Sequence, residues 1–284
     1  MRNFFQNLYI DYLLLFRIPN LSVYQRFLFL FEKYLFLVFS MFGIKTKCSF
    51  LKRRYFPGNK FGLIWLQIML KDYYDYYHVP IKKEYPVIFD VGANIGDYAL
   101  ASALFYRKAT IYCFEPVKST FELLKRNLQK YQNVKLFNVG LGEKSGESSI
   151  YVPKDEHDRA SFKRSVANRG ETENILITDN VRIETLNEFA EKNNIKNIDV
   201  LKIDVEGFEA SVLKGAKEVI KCTSFIIIEI NLRNDPRQFH DIVSLLNNYQ
   251  FRLYRFGKIR INPSEKNVEV LDIVFKNLDL KTNI

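Results

Sequence analysis

Three short stretches place carboxylates, amides and glycines at spacings that suit a small-molecule site. The first is Ile88-Phe-Asp-Val-Gly-Ala-Asn-Ile-Gly-Asp-Tyr-Ala99, an apolar run that ends in Asp90 and passes through Gly92 and Gly96. The second is Phe114-Glu-Pro116, and the third is Asp204-Val-Glu-Gly-Phe-Glu209. Glycines at a strand-to-helix turn let a ligand reach backbone N–H groups at the helix start. A dinucleotide turn of the form G-x-G-x-x-G does not fit, because counted from Gly92 the second and third glycine places hold Asn94 and Asp97, and a carboxylate there repels phosphates. Asp90, Asn94 and Asp97 suit a ligand with a cationic end, such as the ammonium and sulfonium of S-adenosylmethionine, while the helix N-terminus can take its carboxylate. The same residues also fit a plain strand-to-helix turn.

Glu115 lies 25 residues beyond Asp90, at the end of the next apolar run. An acid in that position accepts hydrogen bonds from both ribose hydroxyls of an adenosine; read alone, it is a strand terminus with a solvated carboxylate, closed by Pro116. Asp204, Glu206, Glu229 and Asn231 cluster at the ends of two later runs. Carboxylates so placed are candidate bases for a hydroxyl that must lose its proton, Asp204 first and Glu206 or Glu229 second. His157, in Lys154-Asp-Glu-His-Asp158, is a rival base on a closing loop, or a solvated loop residue. Asp204, Glu229 and Asn231 also offer oxygen ligands to a hard divalent ion such as Mg2+. The acids from Asp204 to Glu209 can equally do no more than open a helix.

The elements that must position these residues begin near residue 85. Short β-branched runs predict strands at Val87 to Val91, Thr110 to Phe114, Val134 to Asn138, Asp199 to Ile203, Phe225 to Ile230, Phe251 to Arg255 and Val270 to Phe275. Helices fit between them at Ile95 to Phe105, Lys118 to Tyr131, Thr185 to Lys192, Phe208 to Ile220 and Pro236 to Tyr249. Such alternation means a parallel sheet covered on both faces, with ligands outside the carboxyl ends of the strands. Between Gly140 and Asp179 the order breaks into a hairpin, a polar loop from Pro153 to Asn174 and a short strand, Ile175 to Thr178. Long loops in such folds often cover the site.

Charge and aromatics divide the 284 residues unevenly. Residues 1–84 hold 13 of the 42 lysines and arginines, 5 of the 32 acids and half of the aromatic residues. A boundary therefore falls near residue 80, between an extension, 1–80, and a domain, 81–284. Cys48, Cys113 and Cys222 are scattered, which disfavours a disulfide framework or a zinc site and fits a reducing compartment, the cytoplasm.

Within the extension, Ser22-Val-Tyr-Gln25 has capping-box spacing and Gly43 is a stop, predicting a helix over 23–42. A narrow polar stripe through Gln25/Arg26, Glu32/Lys33 and Ser40 interrupts its apolar circumference. A membrane span is disfavoured, since each mid-helix charge costs about 2.5 to 3.5 kcal/mol on insertion. An interfacial helix at the inner face of the membrane, with Lys45, Lys47, Lys52, Arg53 and Arg54 near anionic headgroups, satisfies both stripe and charge. A helical hairpin of residues 4–16 and 23–42, packed on the domain or on a second subunit, is the other arrangement. No small-residue cleavage site of a signal peptide follows.

Val87-Ile-Phe-Asp-Val-Gly-Ala-Asn-Ile-Gly96, Phe114-Glu-Pro116, Asn138-Val-Gly-Leu-Gly142, Val181-Arg-Ile-Glu-Thr-Leu186 and Leu201-Lys-Ile-Asp-Val-Glu-Gly-Phe-Glu209 with Val212-Leu-Lys-Gly-Ala216 together resemble the FkbM family of S-adenosylmethionine-dependent methyltransferases, over about residues 85 to 275. The resemblance implies an α/β class I methyltransferase fold, Rossmann-like, with a mostly parallel seven-stranded sheet, helices on both faces and an antiparallel last strand. It implies O-methylation of hydroxyls in sugars, glycans, glycolipids or related natural products. The cofactor residues it implies are Asp90, Gly92, Asn94, Gly96, Glu115, Pro116, Asn138, Gly140, Leu141 and Asp204. It leaves residues 1–80 outside, and the loop after Val152 departs most from it.

Two other classes stay open. A nucleic-acid methyltransferase would use the basic, aromatic N-terminus for backbone contact and stacking, yet the rest of the chain is nearly neutral and lacks an N-P-P-Y-type motif after the fourth strand. A noncatalytic binding protein that keeps the fold is the third reading.

Overall fold

A computed structural model of the chain describes residues 73–153, 160–162, 176–233, 235–262 and 264–280, with a few positions between 22 and 31. Its elements, in chain order, are β1 (Val87–Val91), α1 (Asp97–Phe105), β2 (Thr110–Phe114), α2 (Lys118–Leu128), β3 (Val134–Phe137), β4 (Gly140–Leu141), β5 (Gly146–Pro153), β6 (Leu176–Glu184), α3 (Leu186–Lys192), β7 (Ile198–Ile203), α4 (Glu209–Lys214), α5 (Lys217–Lys221), β8 (Thr223–Asn231), α6 (Arg237–Asn248), β9 (Phe251–Ile261) and β10 (Val268–Asn277). Seven strands form one sheet in the order β3-β2-β1-β7-β8-β10-β9. Only β10 runs against its neighbours in that sheet. β4, β6 and β5 form a second, small sheet. This is the class I methyltransferase fold that the motifs imply.

Period-two alternation explains why both faces are covered. Ile88, Ile111 and Ile227 enter one buried cluster together with Ala99, Leu104, Leu124 and Leu128 of α1 and α2. Their neighbours Phe89, Tyr112 and Ile228 enter the other, against Phe189, Val212, Ile220 and Ile242 of α3 to α6. The chain leaves β1 toward β2 on one side, and β7 leads to β8 on the other. The carboxyl ends of β1 and β7 therefore flank the point where the strand order reverses, the place such sheets reserve for ligands.

Several boundaries differ from expectation for physical reasons. α1 starts two residues late, because Gly96 is left-handed with φ +98. The single helix expected over 208–220 is two, α4 and α5, parted at Gly215, where a Cβ would lie 1.9 Å from the Gly142 carbonyl oxygen. The short strand expected at Ile175 to Thr178 runs on to Glu184, paired along its length with β5. Of the expected loop between Pro153 and Asn174, Ala160 to Phe162 are described, and Ser161 forms a backbone bridge with Tyr151.

The extension also reads differently near its end. Tyr73–Tyr77 make a π-helical turn, and Tyr73 and Val79 are core residues. Tyr73 stacks on Phe105 at 5.0 Å between ring centroids, and its hydroxyl meets Ser102 at 3.0 Å. Residues 73–79, which composition assigns to the extension, thus pack into the domain. Of the helix expected over 23–42, Val23, Tyr24, Arg26, Phe27, Leu30 and Phe31 are helical; the rest of it, and residues 4–16, lie outside the described residues. No helix among the described residues is long and apolar enough to cross a membrane.

Candidate active site

A cleft opens at the carboxyl ends of β1, β2, β7 and β8, and its wall includes Gly92, Asn94, Glu115, Asp204, Glu206 and Glu229. The floor is built by close backbone contacts. Gly92 N–H donates to the Phe114 carbonyl at 3.0 Å, and Asp204 N–H to the Val91 carbonyl at 3.0 Å. Gly92 has φ +78, and a Cβ on it would lie 1.8 Å from the Asp204 carbonyl oxygen. The glycine is thus required by the protein's own backbone at the β1–β7 junction. Gly96 has a similar cause elsewhere, since a Cβ there would lie 2.6 Å from Leu128, on the α2 side and away from the cleft wall.

Glu115 lines the cleft with its carboxylate nearly fully buried. One oxygen accepts from Asn94 N–H at 3.0 Å and the other from Val117 N–H at 2.9 Å. Burial pushes this carboxyl up to about 7, against the pull of those two N–H groups. A carboxylate has about four acceptor positions, and these two N–H groups occupy two of them. Asn94, left-handed at φ +49, turns its N–H to Glu115 in this way.

Beneath the turn lies a charge that the sequence reading did not single out. Lys202 sits 3.4 Å from Asp90 and 3.2 Å from Asp204, over the ring of Tyr98 at 5.6 Å. Burial disfavours its ammonium, but Asp204 and Asp90 hold its pKa above the usual range. Asp90 is fully buried and is absent from the cleft wall; burial raises its carboxyl and Lys202 opposes the rise. Asp97, the first residue of α1, is pushed up to about 7 by burial. The signal for Lys202 was the alternation of β7, which puts a lysine beside the acid that ends the strand.

The far wall carries Glu229 and Arg260, whose guanidinium donates to Glu229 at 2.8 Å. Burial raises the Glu229 carboxyl, Asp204 and Asp272 add to the rise, and Arg260 opposes it. Glu206 lines the cleft at φ +47, and its carbonyl accepts from the Ser161 hydroxyl at 2.7 Å. Glu209 lies outside the cleft wall, where it accepts from Gly207 N–H at 2.9 Å and from Val205 N–H at 3.3 Å and pairs with Gln238. It holds the turn that carries Asp204 and Glu206.

Pro116, Gly140 and Leu141 line the cleft with Phe114, Val139 and Phe162. Asn138 stands outside that wall and ties two strand ends together, donating to the Glu115 and Pro116 carbonyls at 2.9 Å each. Asn231 accepts from Arg233 N–H at 3.2 Å. Among the described residues no group of three or more acids, histidines or cysteines converges as a metal ion requires. His157 lies outside the described residues. The structure therefore brings Glu115, Asp204, Glu206 and Glu229 to one cleft and sets Asp90, Gly96 and Asn138 behind it.

Residues 90–253 match the methyltransferase FkbM domain. The chain belongs to that family. The FkbM-type chain is similar to the hexuronic acid methyltransferase AglP of Haloferax volcanii, 30% identical over 167 residues, which cover 58% of this chain and 62% of the relative. It is also similar to the 2-O-methyltransferase NoeI of Sinorhizobium fredii, 26% identical over 157 residues, covering 52% and 65%. The chain thus spans under two thirds of the length of either relative. Among solved structures, fibrillarin of Aeropyrum pernix with natively bound S-adenosyl-L-methionine aligns over 69% of each chain at 12% identity and a TM-score of 0.41.

Proposed function

We propose that this chain is an S-adenosylmethionine-dependent O-methyltransferase acting on a hydroxyl of a sugar, glycan, glycolipid or related natural product. The observation that carries the reading is the two-ended cleft. A buried carboxylate with spare acceptor positions, Glu115, stands at one end, and three further carboxylates, Asp204, Glu206 and Glu229, stand at the other. Two relatives whose names speak of a hexuronic acid and of 2-O-methylation support a sugar-type acceptor.

The residues fit the cofactor. Glu115 would accept the two ribose hydroxyls. Phe114, Pro116, Val139 and Leu141 give an apolar wall for the adenine, and the turn from Gly92 to Asn94 passes beneath. When bound, S-adenosylmethionine supplies an electrophilic methyl group on a cationic sulfur. The carboxylates of Asp204, Glu206 and Glu229 orient the acceptor by taking hydrogen bonds from its hydroxyls. Such positioning can supply about 7 to 11 kcal/mol of the barrier. One of them takes the proton of the reacting hydroxyl, Asp204 in our reading, with Glu206, Glu229 and His157 as the alternatives. Phe162, packed on Phe208 at 4.6 Å, adds an aromatic ring to the cleft wall.

The test is release of S-adenosylhomocysteine with a panel of free and lipid-linked glycosides, followed by mass spectrometry for one added methylene. Asp204→Asn should reduce turnover by about 100-fold or more with cofactor affinity within a few-fold; near-normal turnover would move the base to Glu206, Glu229 or His157. Activity that survives exhaustive chelation excludes an exchangeable Mg2+ requirement. Transfer to RNA or DNA, with steep salt dependence, would favour the nucleic-acid reading, and absence of cofactor binding the scaffold reading.

We further infer that the extension ahead of Tyr73, rather than the whole of residues 1–80, holds the enzyme at the inner face of a membrane. The basic run at Lys52, Arg53 and Arg54 supports this, since each cation near an anionic surface adds about 1 kcal/mol. Changing these three to Glu should release the protein from anionic liposomes; full-length protein that ignores liposomes would favour packing on the domain or a second subunit.

A further inference from the structure

The acceptor side of the cleft is completed by residues beyond the family match at 90–253. Tyr77 precedes it, Arg260 and Asp272 follow it, and all three meet at the Glu229–Asp272 pair. β10 runs antiparallel to β8 with Asp272 directly opposite Glu229, so both side chains share one face of the sheet. Two carboxylates so placed repel, and each has its own donor. Tyr77 Oη donates to Asp272 Oδ2 at 2.6 Å, and Arg260 Nη2 donates to Glu229 Oε2 at 2.8 Å.

Each donor is itself held in place. The Tyr77 ring meets Tyr98 edge-on at 6.3 Å, and Arg255 of β9 donates to the carbonyls of Tyr76 and His78 at 3.0 and 2.7 Å. The turn that carries Tyr77 is therefore fastened to the sheet on both sides of that residue. Gly257 lets β9 pass close to Asp272, since a Cβ there would lie 2.8 Å from the Asp272 Cβ.

We propose that Tyr77 and Arg260 are positioning residues that divide the Glu229–Asp272 pair, Tyr77 drawing Asp272 back against the N-terminal turn while Arg260 aims Glu229 at an acceptor hydroxyl. The acceptor role rests on the methyl-transfer reading; the division of the pair does not. Acceptor geometry is then set by segments that flank the family domain, which ties residues 73–77 to the reaction. The titratable and charged groups that face Glu229 are Asp204 from the end of β7, Glu206 from the loop after it, Asp272 from β10 and Arg260 from β9, with Lys202 of β7 and Tyr77 of the N-terminal turn also in its field. Those that face Asp272 are Tyr77, Asp204, Arg260 and Lys202. Burial raises both carboxyls, and the donors oppose the rise, Tyr77 at Asp272 and Arg260 at Glu229.

The full-length chain tests this by site-resolved NMR titration of the two side-chain carboxyls in wild type, Tyr77→Phe, Arg260→Met and Arg260→Lys. Tyr77→Phe should move the Asp272 midpoint up and Arg260→Met the Glu229 midpoint up, each by about one pH unit, while Arg260→Lys restores most of the second shift. S-adenosylmethionine affinity should stay within about threefold, since Glu115 is untouched. With any glycoside that the wild type methylates, Tyr77→Phe and Arg260→Met should lower kcat by about tenfold or more and shift the acidic limb of the pH profile upward, since the carboxylates act ionised. Unmoved carboxyls, or an unchanged kcat beside moved ones, overturns the proposal. If the wild type methylates no glycoside, the sugar reading fails, and the titration still decides whether the donors divide the pair.

Discussion

The ammonium of Lys202 lies between two carboxylates, 3.4 Å from Asp90 and 3.2 Å from Asp204. Asp90 is fully buried at the end of β1 and Asp204 stands in the cleft wall, so one lysine joins the floor of the site to its wall. Asp90, expected to meet the ligand, is buried behind the cleft wall against Lys202, which also pairs with Asp204.

Removing that lysine should therefore damage stability before it damages binding. Lys202→Met leaves Asp90 buried without its cation, and breaking a buried pair costs about 3 to 5 kcal/mol. Lys202→Met with Asp90→Asn should recover part of the loss, because the orphaned charge goes too. Denaturant unfolding of the single and double variants measures this. A single variant as stable as wild type would show that the lysine does not hold the floor.

Glu115 gives a pH dependence whose sign follows from its environment. Its carboxyl rises from an ordinary 4.5 to about 7 in the folded, ligand-free protein, through burial. The folded state then favours the protonated form, so this group's contribution to stability falls as pH rises from 4.5 through about 7. Ribose hydroxyls donate to the ionised form, so S-adenosylmethionine affinity should increase with pH up to about 7 and level off above it. Calorimetric titration between pH 5.5 and 8.5 checks this. Glu115→Gln should abolish the dependence and weaken binding by about tenfold or more.

The sequence showed the strands and the wall of the cleft because both leave local marks. β1 and β2 fall where the apolar runs end, and Glu115, Asp204 and Glu229 were found because ligands gather at strand ends. What escaped depends on distant approach. Gly92 reads as a ligand contact, yet the atom it avoids is the Asp204 carbonyl oxygen, 112 residues away. Arg260 lies on a strand whose expected end was Arg255, and Tyr77 sits among aromatics that composition assigns to the extension. No local period marks either as a neighbour of Glu229.

Gly92 carries a prediction that differs from a simple loss of ligand. The left-handed φ alone costs a side chain about 1 to 3 kcal/mol, and the Cβ also collides with backbone that cannot rotate away. Gly92→Ala should lower the melting temperature of the ligand-free protein, and Gly92→Val should lower it further. Unchanged melting with lost cofactor binding would return the glycine to a purely ligand-facing role.

The last prediction concerns where the folded unit begins. Tyr73 is 2% exposed, stacked on Phe105 and bonded to Ser102, so it belongs to the core cluster of α1. Tyr73→Ala removes a buried aromatic ring, a change worth about 3 to 5 kcal/mol, together with one hydrogen bond to Ser102. Tyr73→Phe keeps the ring and should cost only about 1 kcal/mol. A chain begun a few residues before Tyr73 should therefore fold and bind S-adenosylmethionine, whereas a chain begun at Ile81 loses Tyr73, Tyr77 and Val79 together and should melt far lower. Equal melting of the two shortened chains would place the edge of the domain at residue 81, where composition puts it, and would make the turn at 73–77 an accessory.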